Sequence, residues 1–112
     1  MIRFDELPIF QREFKKLKKR YRSLSEDLTE FQKVISVSPL GNKKHFSIIR
    51  KMDDLYVVKA RFFCKYLKGS SLRIVYAYFP KDKKIQFIEV YFKGNKENED
   101  AERIRKYLKN SI

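Results

Sequence analysis

The chain has 112 residues, enough for one modest core and too few for two. With 43% apolar and 15% aromatic residues and only 3 Gly and 3 Pro, it reads as a folded domain and excludes a disordered one. Its 27 Lys+Arg against 14 Asp+Glu give a formal charge of +13, which attracts phosphate polymers, anionic membranes or acidic proteins without choosing among them.

Cys64 is the single cysteine, so no internal disulfide can form. Its only possible partner base, His45, lies in a separate stretch, which makes a thiol nucleophile a poor reading. There is no HExxH, no Cys/His cluster and no carboxylate array, so neither metal nor cofactor is expected. No apolar run approaches the roughly 18 residues of a membrane span, and the start MIRFDELP lacks a signal peptide's apolar core. A single cytoplasmic domain over residues 1–112, with no membrane partner, is the expectation.

Ile2-Arg3-Phe4 predicts a short strand. Asp5 can cap a helix with Pro8 in its first turn, where a missing N–H is harmless. Phe10, Phe14, Leu17 and Tyr21 then form one apolar stripe. The other faces carry Lys15, Lys16, Lys18, Lys19, Arg20 and Arg22 with almost no acidic balance, either a solvated face or one that meets phosphates or a partner. Ser23 with Glu26 fits a capping box, and Leu24, Leu28, Phe31 and Ile35 give a second stripe that ends by Pro39. Two helices joined this tightly predict an antiparallel hairpin that covers one face of a sheet. Residues 39–54 read as a polar, basic loop in which His45, beside Lys43 and Lys44, is plain surface.

Leu55–Phe63 alternates along a strand. Tyr56, Val58, Ala60 and Phe62 share one face, and Lys59 and Arg61 point the other way with Val57. Arg73–Phe79 and Ile85–Phe92 flank Pro80–Lys84 and predict a loose hairpin. In it Leu72, Ile74, Tyr76 and Tyr78 face inward with Ile88, Val90 and Phe92, while Arg73 faces outward with Glu89, Tyr91 and Lys93. If these strands pair, Lys59, Arg61, Arg73, Tyr91 and Lys93 gather on one open face opposed by Glu89 alone. Cys64–Ser71 is a connection carrying Lys65 and Lys68. Gly94-Asn95 then opens a last helix, acidic at its start (Glu97, Glu99, Asp100) and basic at its end, with a narrow apolar edge of Ala101, Ile104 and Leu108.

The order is β-α-α-β-β-β-α, an α+β fold with a small antiparallel sheet covered by an N-terminal helical hairpin. Four stretches in this order resemble the RelE/ParE superfamily of toxins from toxin–antitoxin systems. They are the F-x-x-E-F-K-K-L-K-K-R-Y-x-S-L run at Phe10–Leu24, YVVKAR at Tyr56–Arg61, LRIVYAY at Leu72–Tyr78 and IEVYFKGNKEN at Ile88–Asn98. The resemblance implies a toxin held by a cognate acidic antitoxin, and through it operator DNA. It further implies a ribosome-dependent mRNA endonuclease that needs no metal, with a ParE-like gyrase inhibitor or a non-toxic nucleic-acid-binding module as alternatives. Cleavage by the RNA 2′-hydroxyl needs a base, cations for the phosphorane and a proton for the leaving 5′-oxygen. Lys59 fits the base, because the neighbouring Arg61 favours a neutral amine. Arg61 and Arg73 fit a forked phosphate clamp. Tyr91 fits stacking or orientation of the nucleophile, and Lys93 or Lys96 a cation or acid at the leaving group. Lys15, Lys16, Lys19, Arg20, Lys65, Lys68 and Lys96 are the expected RNA phosphate contacts. RelE-type toxins often carry an arginine where this chain has Lys93 and Lys96, and the histidine some of them use in that region is absent.

Overall fold

The structure, a computed structural model, describes residues 1–67 and 72–110. Its elements are β1 (Arg3–Glu6), α1 (Pro8–Arg20), α2 (Leu24–Val37), β2 (Phe46–Lys51), β3 (Tyr56–Phe62), β4 (Leu72–Phe79), β5 (Lys84–Phe92) and α3 (Ala101–Asn110). One five-stranded sheet has the order β1-β5-β4-β3-β2. It is antiparallel except at β1, which lies parallel to β5. The α+β class is as expected, but the sheet is mixed and gains a strand. Six residues of the stretch read as a loop are β2, an edge strand opposite β3 with a register shift between Ile48 and Arg50. The shift and the edge position let Ser47, Ile48 and Arg50 stay exposed, which is why no clean alternation marks this strand.

Both helical stripes meet the sheet where expected. Phe10, Leu24, Leu28, Phe31 and Ile35 pack against Val58, Ala60, Phe62, Ile74, Tyr76, Ile85 and Phe87. Each such large side chain stabilises the fold by roughly 1.5–3 kcal/mol. Phe31 sits at the centre, stacked on Phe46 and edge-on to Phe62 and Tyr76. The caps differ from expectation. Asp5 belongs to β1 and accepts hydrogen bonds from the Glu6 N–H and the Gln86 amide, so α1 starts at Pro8. Ser23 forms no capping box. Its hydroxyl donates to Asp27 at 2.7 Å, and Asp27 also accepts the Lys65 N–H, which ties the chain after β3 to α2.

The opposite sheet face is only half covered. Leu55, Val57, Val75, Ala77, Ile88 and Tyr91 form a second core under Ile104, Tyr107 and Leu108 of α3; Ala101 is exposed. Ile88 was expected on the α1–α2 side with Val90. A bulge turns it over: Tyr76 pairs with Phe87 and Val75 with Glu89, leaving Ile88 the extra residue between them. Ile88 and Glu89 therefore both sit on the α3 side. Glu89 is fully buried there, not outward. It pairs with Lys96 and accepts the Asp100 N–H at 2.9 Å. Asp100 in turn caps α3 by accepting the Arg103 N–H at 3.0 Å. Arg103 reaches across to Glu13 of α1 through two hydrogen bonds of 2.8 and 2.9 Å, and donates to the Ile88 carbonyl. Glu13 also accepts the Val90 N–H, which β1 is too short to pair.

Two substitutions test this frame. Gly41 has φ +62°, and a Cβ there would lie 2.1 Å from Phe46 Cγ. Gly41→Ala should therefore cost about 2–4 kcal/mol in urea unfolding, from left-handed strain and from displacing a ring stacked on Phe31. Glu89→Ala leaves the Asp100 N–H without its acceptor and should cost about 2–3 kcal/mol. Amide hydrogen exchange should then accelerate in residues 96–110 and leave α1 and α2 unchanged.

Candidate functional site

Strand register explains how the cationic cluster assembles. Arg61 lies directly opposite Arg73, and Arg73 opposite Tyr91. One step along the strands, Ser47, Lys59, Val75 and Glu89 form the next row. The side chains of a row share a face, about 5 Å from neighbour to neighbour. Lys44, His45, Ser47, Lys59, Arg61 and Arg73 line a small polar cleft of about 180 Å³ on this face, beside α3. Like charges directly opposite each other destabilise a strand pair, so Arg61 and Arg73 concentrate positive charge at this point of the sheet. Burial, and then Arg61, lower the Arg73 pKa, with Tyr91 opposing. Arg73 also donates to the Leu72 carbonyl.

A carboxylate of the chain pairs with a further cation of the cleft, Lys59. Lys59 donates to Glu99 at 2.8 Å, with both side chains only about a quarter exposed or less (26% and 21%). Burial raises the Glu99 pKa, but the Lys59 hydrogen bond and the charges of Lys59 and Arg50 outweigh it and hold the group below its usual range. Its folded-state value is depressed, so its stabilisation is complete above the ordinary carboxylate range and is lost as pH falls through the lowered value. Tyr91 is 6% exposed, with the Lys96 ammonium 5.1 Å from its ring centroid. Burial, with Glu99 and Glu89 adding and Arg73 opposing, pushes its phenol up to about 12. Tyr91 is thus a neutral phenol at physiological pH, and its ring face is covered.

The remaining expected site residues scatter. Lys93 is exposed just past β5 and does not line the cleft. Lys96 is committed to Glu89. Lys16 and Arg20 meet Tyr91, Phe92 and Lys96 in a groove along the unpaired edge of β5. Lys15 and Lys19 are exposed on α1, which packs on the far side of the sheet. Lys65 pairs with Glu26 of α2 at 3.5 Å. Lys68 lies outside the described residues. Sequence reasoning missed Ser47 and Lys44, because β2 was read as a loop, and Glu99, whose ion pair spans 40 residues with no local signal. No group of three or more His, Cys, Asp or Glu is arranged to hold a metal among the described residues. No described helix is long and apolar enough to cross a membrane.

No family model and no curated protein matches the chain. Solved structures do. The archaeal RelE–RelB complex from Pyrococcus horikoshii OT3 aligns with a TM-score of 0.62 and 21% identity, covering 83% of this chain and 96% of that one. The isolated E. coli RelE toxin aligns over 100% of both chains with a TM-score of 0.57 and 20% identity. A doubly arginine-substituted E. coli RelE in the free state aligns over 99% of this chain and 98% of that one, with a TM-score of 0.59 and 21% identity. The chain has the fold of the RelE toxins.

Proposed function

We propose that this protein is the toxin of a toxin–antitoxin system and acts as an endoribonuclease that cuts mRNA on the ribosome. The observation that carries the reading is Arg61 facing Arg73 across two strands, beside Lys59 in an open polar cleft. Two guanidiniums at that spacing can fork onto one phosphate diester and stabilise the charge of a phosphorane. Lys59 is the base toward the 2′-hydroxyl. Tyr91 orients the sugar once the 93–100 segment lifts from it, and Lys93 adds positive charge at the end of β5. Lys16, Arg20 and Lys96 extend the cationic track along the β5 edge. A gyrase-directed inhibitor would have no use for the Lys59–Arg61–Arg73 cleft, which favours the nuclease over that alternative. A cognate antitoxin is the proposed resident partner. Its acidic charge complements the +13 of this chain, and Val34, Val37, Ile48, Phe63 and Tyr66 offer it exposed apolar contacts.

Induction in cells lacking the antitoxin, followed by pulse-labelled methionine and thymidine, tests the reading. Wild type should stop translation first, and primer extension should find discrete cuts in mRNA. Arg73→Ala should lose about 10²–10³-fold in cleavage while melting like wild type. Replication arrest first would move the assignment to a gyrase-type inhibitor, and no arrest at all would leave a basic binding module. Glu99 makes a second, opposite test. Its carboxylate competes with the phosphate for Lys59, so Glu99→Gln should tighten binding of a 2′-deoxy RNA analogue about fivefold, the equivalent of roughly 1 kcal/mol for a partly exposed ion pair. Fluorescence anisotropy at fixed salt measures it.

A further inference from the structure

We infer that His45 is a catalytic residue of this cleft, the general acid that protonates the leaving 5′-oxygen; this rests on the nuclease reading above. Three observations carry it. His45 immediately precedes β2, and its carbonyl accepts the Arg61 N–H at 3.0 Å, which continues the ladder by one residue. Phe46 turns toward Phe31 and the helices, so by alternation Ser47 falls on the opposite face with Lys59, Arg61 and Arg73. His45 lies in the turn just before this strand, where the Phe46 N–H donates to the Asn42 carbonyl, and lines both this cleft beside Arg61 and the apolar pocket beside Phe31 and Phe63. Its position is held. The His45 N–H donates to the Asn42 side chain at 2.9 Å, and the ring packs edge-on to Phe63 at 5.4 Å. Nδ1 is buried with no hydrogen-bond partner among the described residues, which leaves Nε2 as the nitrogen able to exchange a proton with a bound substrate.

The chemistry of the cleft calls for such a group. The other basic groups lining it are Lys44 on the same turn, Lys59 and Arg61 on β3 and Arg73 on β4. Glu99 is the carboxylate facing them, through Lys59. Arginine does not give up a proton in proteins, and lysine is a weak acid near neutrality. A site of lysine and arginine alone therefore stabilises a phosphorane but protonates an alkoxide poorly. Imidazole is the side chain that changes charge between roughly pH 5 and 8. In the step assigned here, Lys59 has left Glu99 and given a proton to solvent, the 2′-oxygen bonds to phosphorus, and its proton passes to the resulting Lys59 amine. The P–O5′ bond breaks, and the Nε2 proton of the His45 imidazolium passes to O5′. The products are a 2′,3′-cyclic phosphate and a free 5′-hydroxyl, and solvent exchange returns both side chains to their starting states.

The test uses ribosomes programmed with a short mRNA, cut under single-turnover conditions by the full chain. Two versions of the scissile linkage are compared, one with the natural 5′-oxygen and one with a bridging 5′-sulfur, whose thiolate leaves without an acid. His45→Gln and His45→Asn are made, and whichever melts cooperatively beside wild type is used. The variant should lose about 10²–10⁴-fold on the oxygen linkage. On the sulfur linkage it should cut at close to the wild-type rate. Equal loss on both linkages, or no loss on either, would overturn the assignment while leaving the nuclease reading intact. Failure of wild type to cut either linkage would overturn both.

Discussion

A buried carboxylate organises the half of this molecule that carries the site. Glu89 is fully buried, and removing a charge from water is costly unless partners replace the solvent. Lys96 and the Asp100 N–H are those partners, so the chain between them must return over the sheet. That return sets the rest. Asp100 is brought to cap α3, Glu99 onto Lys59, and the Lys96 ammonium over Tyr91. Glu89 keeps the parity of Tyr91, and the bulge adds Ile88 to the same α3 face, so the apolar contact that seats α3 lies directly beside the buried carboxylate.

The two sheet faces are stabilised by different means. The α1–α2 face is an apolar core whose stripes and strands interdigitate, with Asp27 as its one buried carboxylate among the described residues. The other face mixes a small apolar cluster with ion pairs: Glu13 with Arg103, Glu89 with Lys96 and Glu99 with Lys59. Partly exposed pairs contribute modestly to stability. The covering of that face is therefore held less tightly than α1–α2 and is the part of the fold able to move locally when a ligand competes for its cations.

Periodicity made the first face legible. Stripes at steps of three and four identified α1 and α2, and alternation in Tyr56–Phe62 placed Lys59 and Arg61 opposite the core. Because antiparallel neighbours share faces row by row, the same alternation brought Arg73 to them. What stayed hidden depends on contacts distant in sequence or on broken register. β2 is an exposed edge strand with a shift, so its residues follow no burial period. Glu89 followed the outward parity of Tyr91 correctly, yet α3 covers that face and turns outward into buried. The Ser23–Asp27 bond competed successfully with a capping box of similar spacing.

The cationic residues expected to meet RNA are, in the free chain, partly engaged by the chain's own carboxylates. Lys59 and Lys96 each hold a glutamate. Any anion that binds at these positions exchanges with a carboxylate already there rather than neutralising bare charge. Such an exchange yields less affinity than the total of +13 suggests, because the internal pair must be broken first. It also sharpens selection. A single carboxylate, such as Glu99, satisfies one ammonium, whereas a phosphate diester can span Arg61 and Arg73 together and relieve the repulsion between them. An anion that reaches Lys59 replaces Glu99, so the internal ion pair sets what any competing anion must exceed at that position.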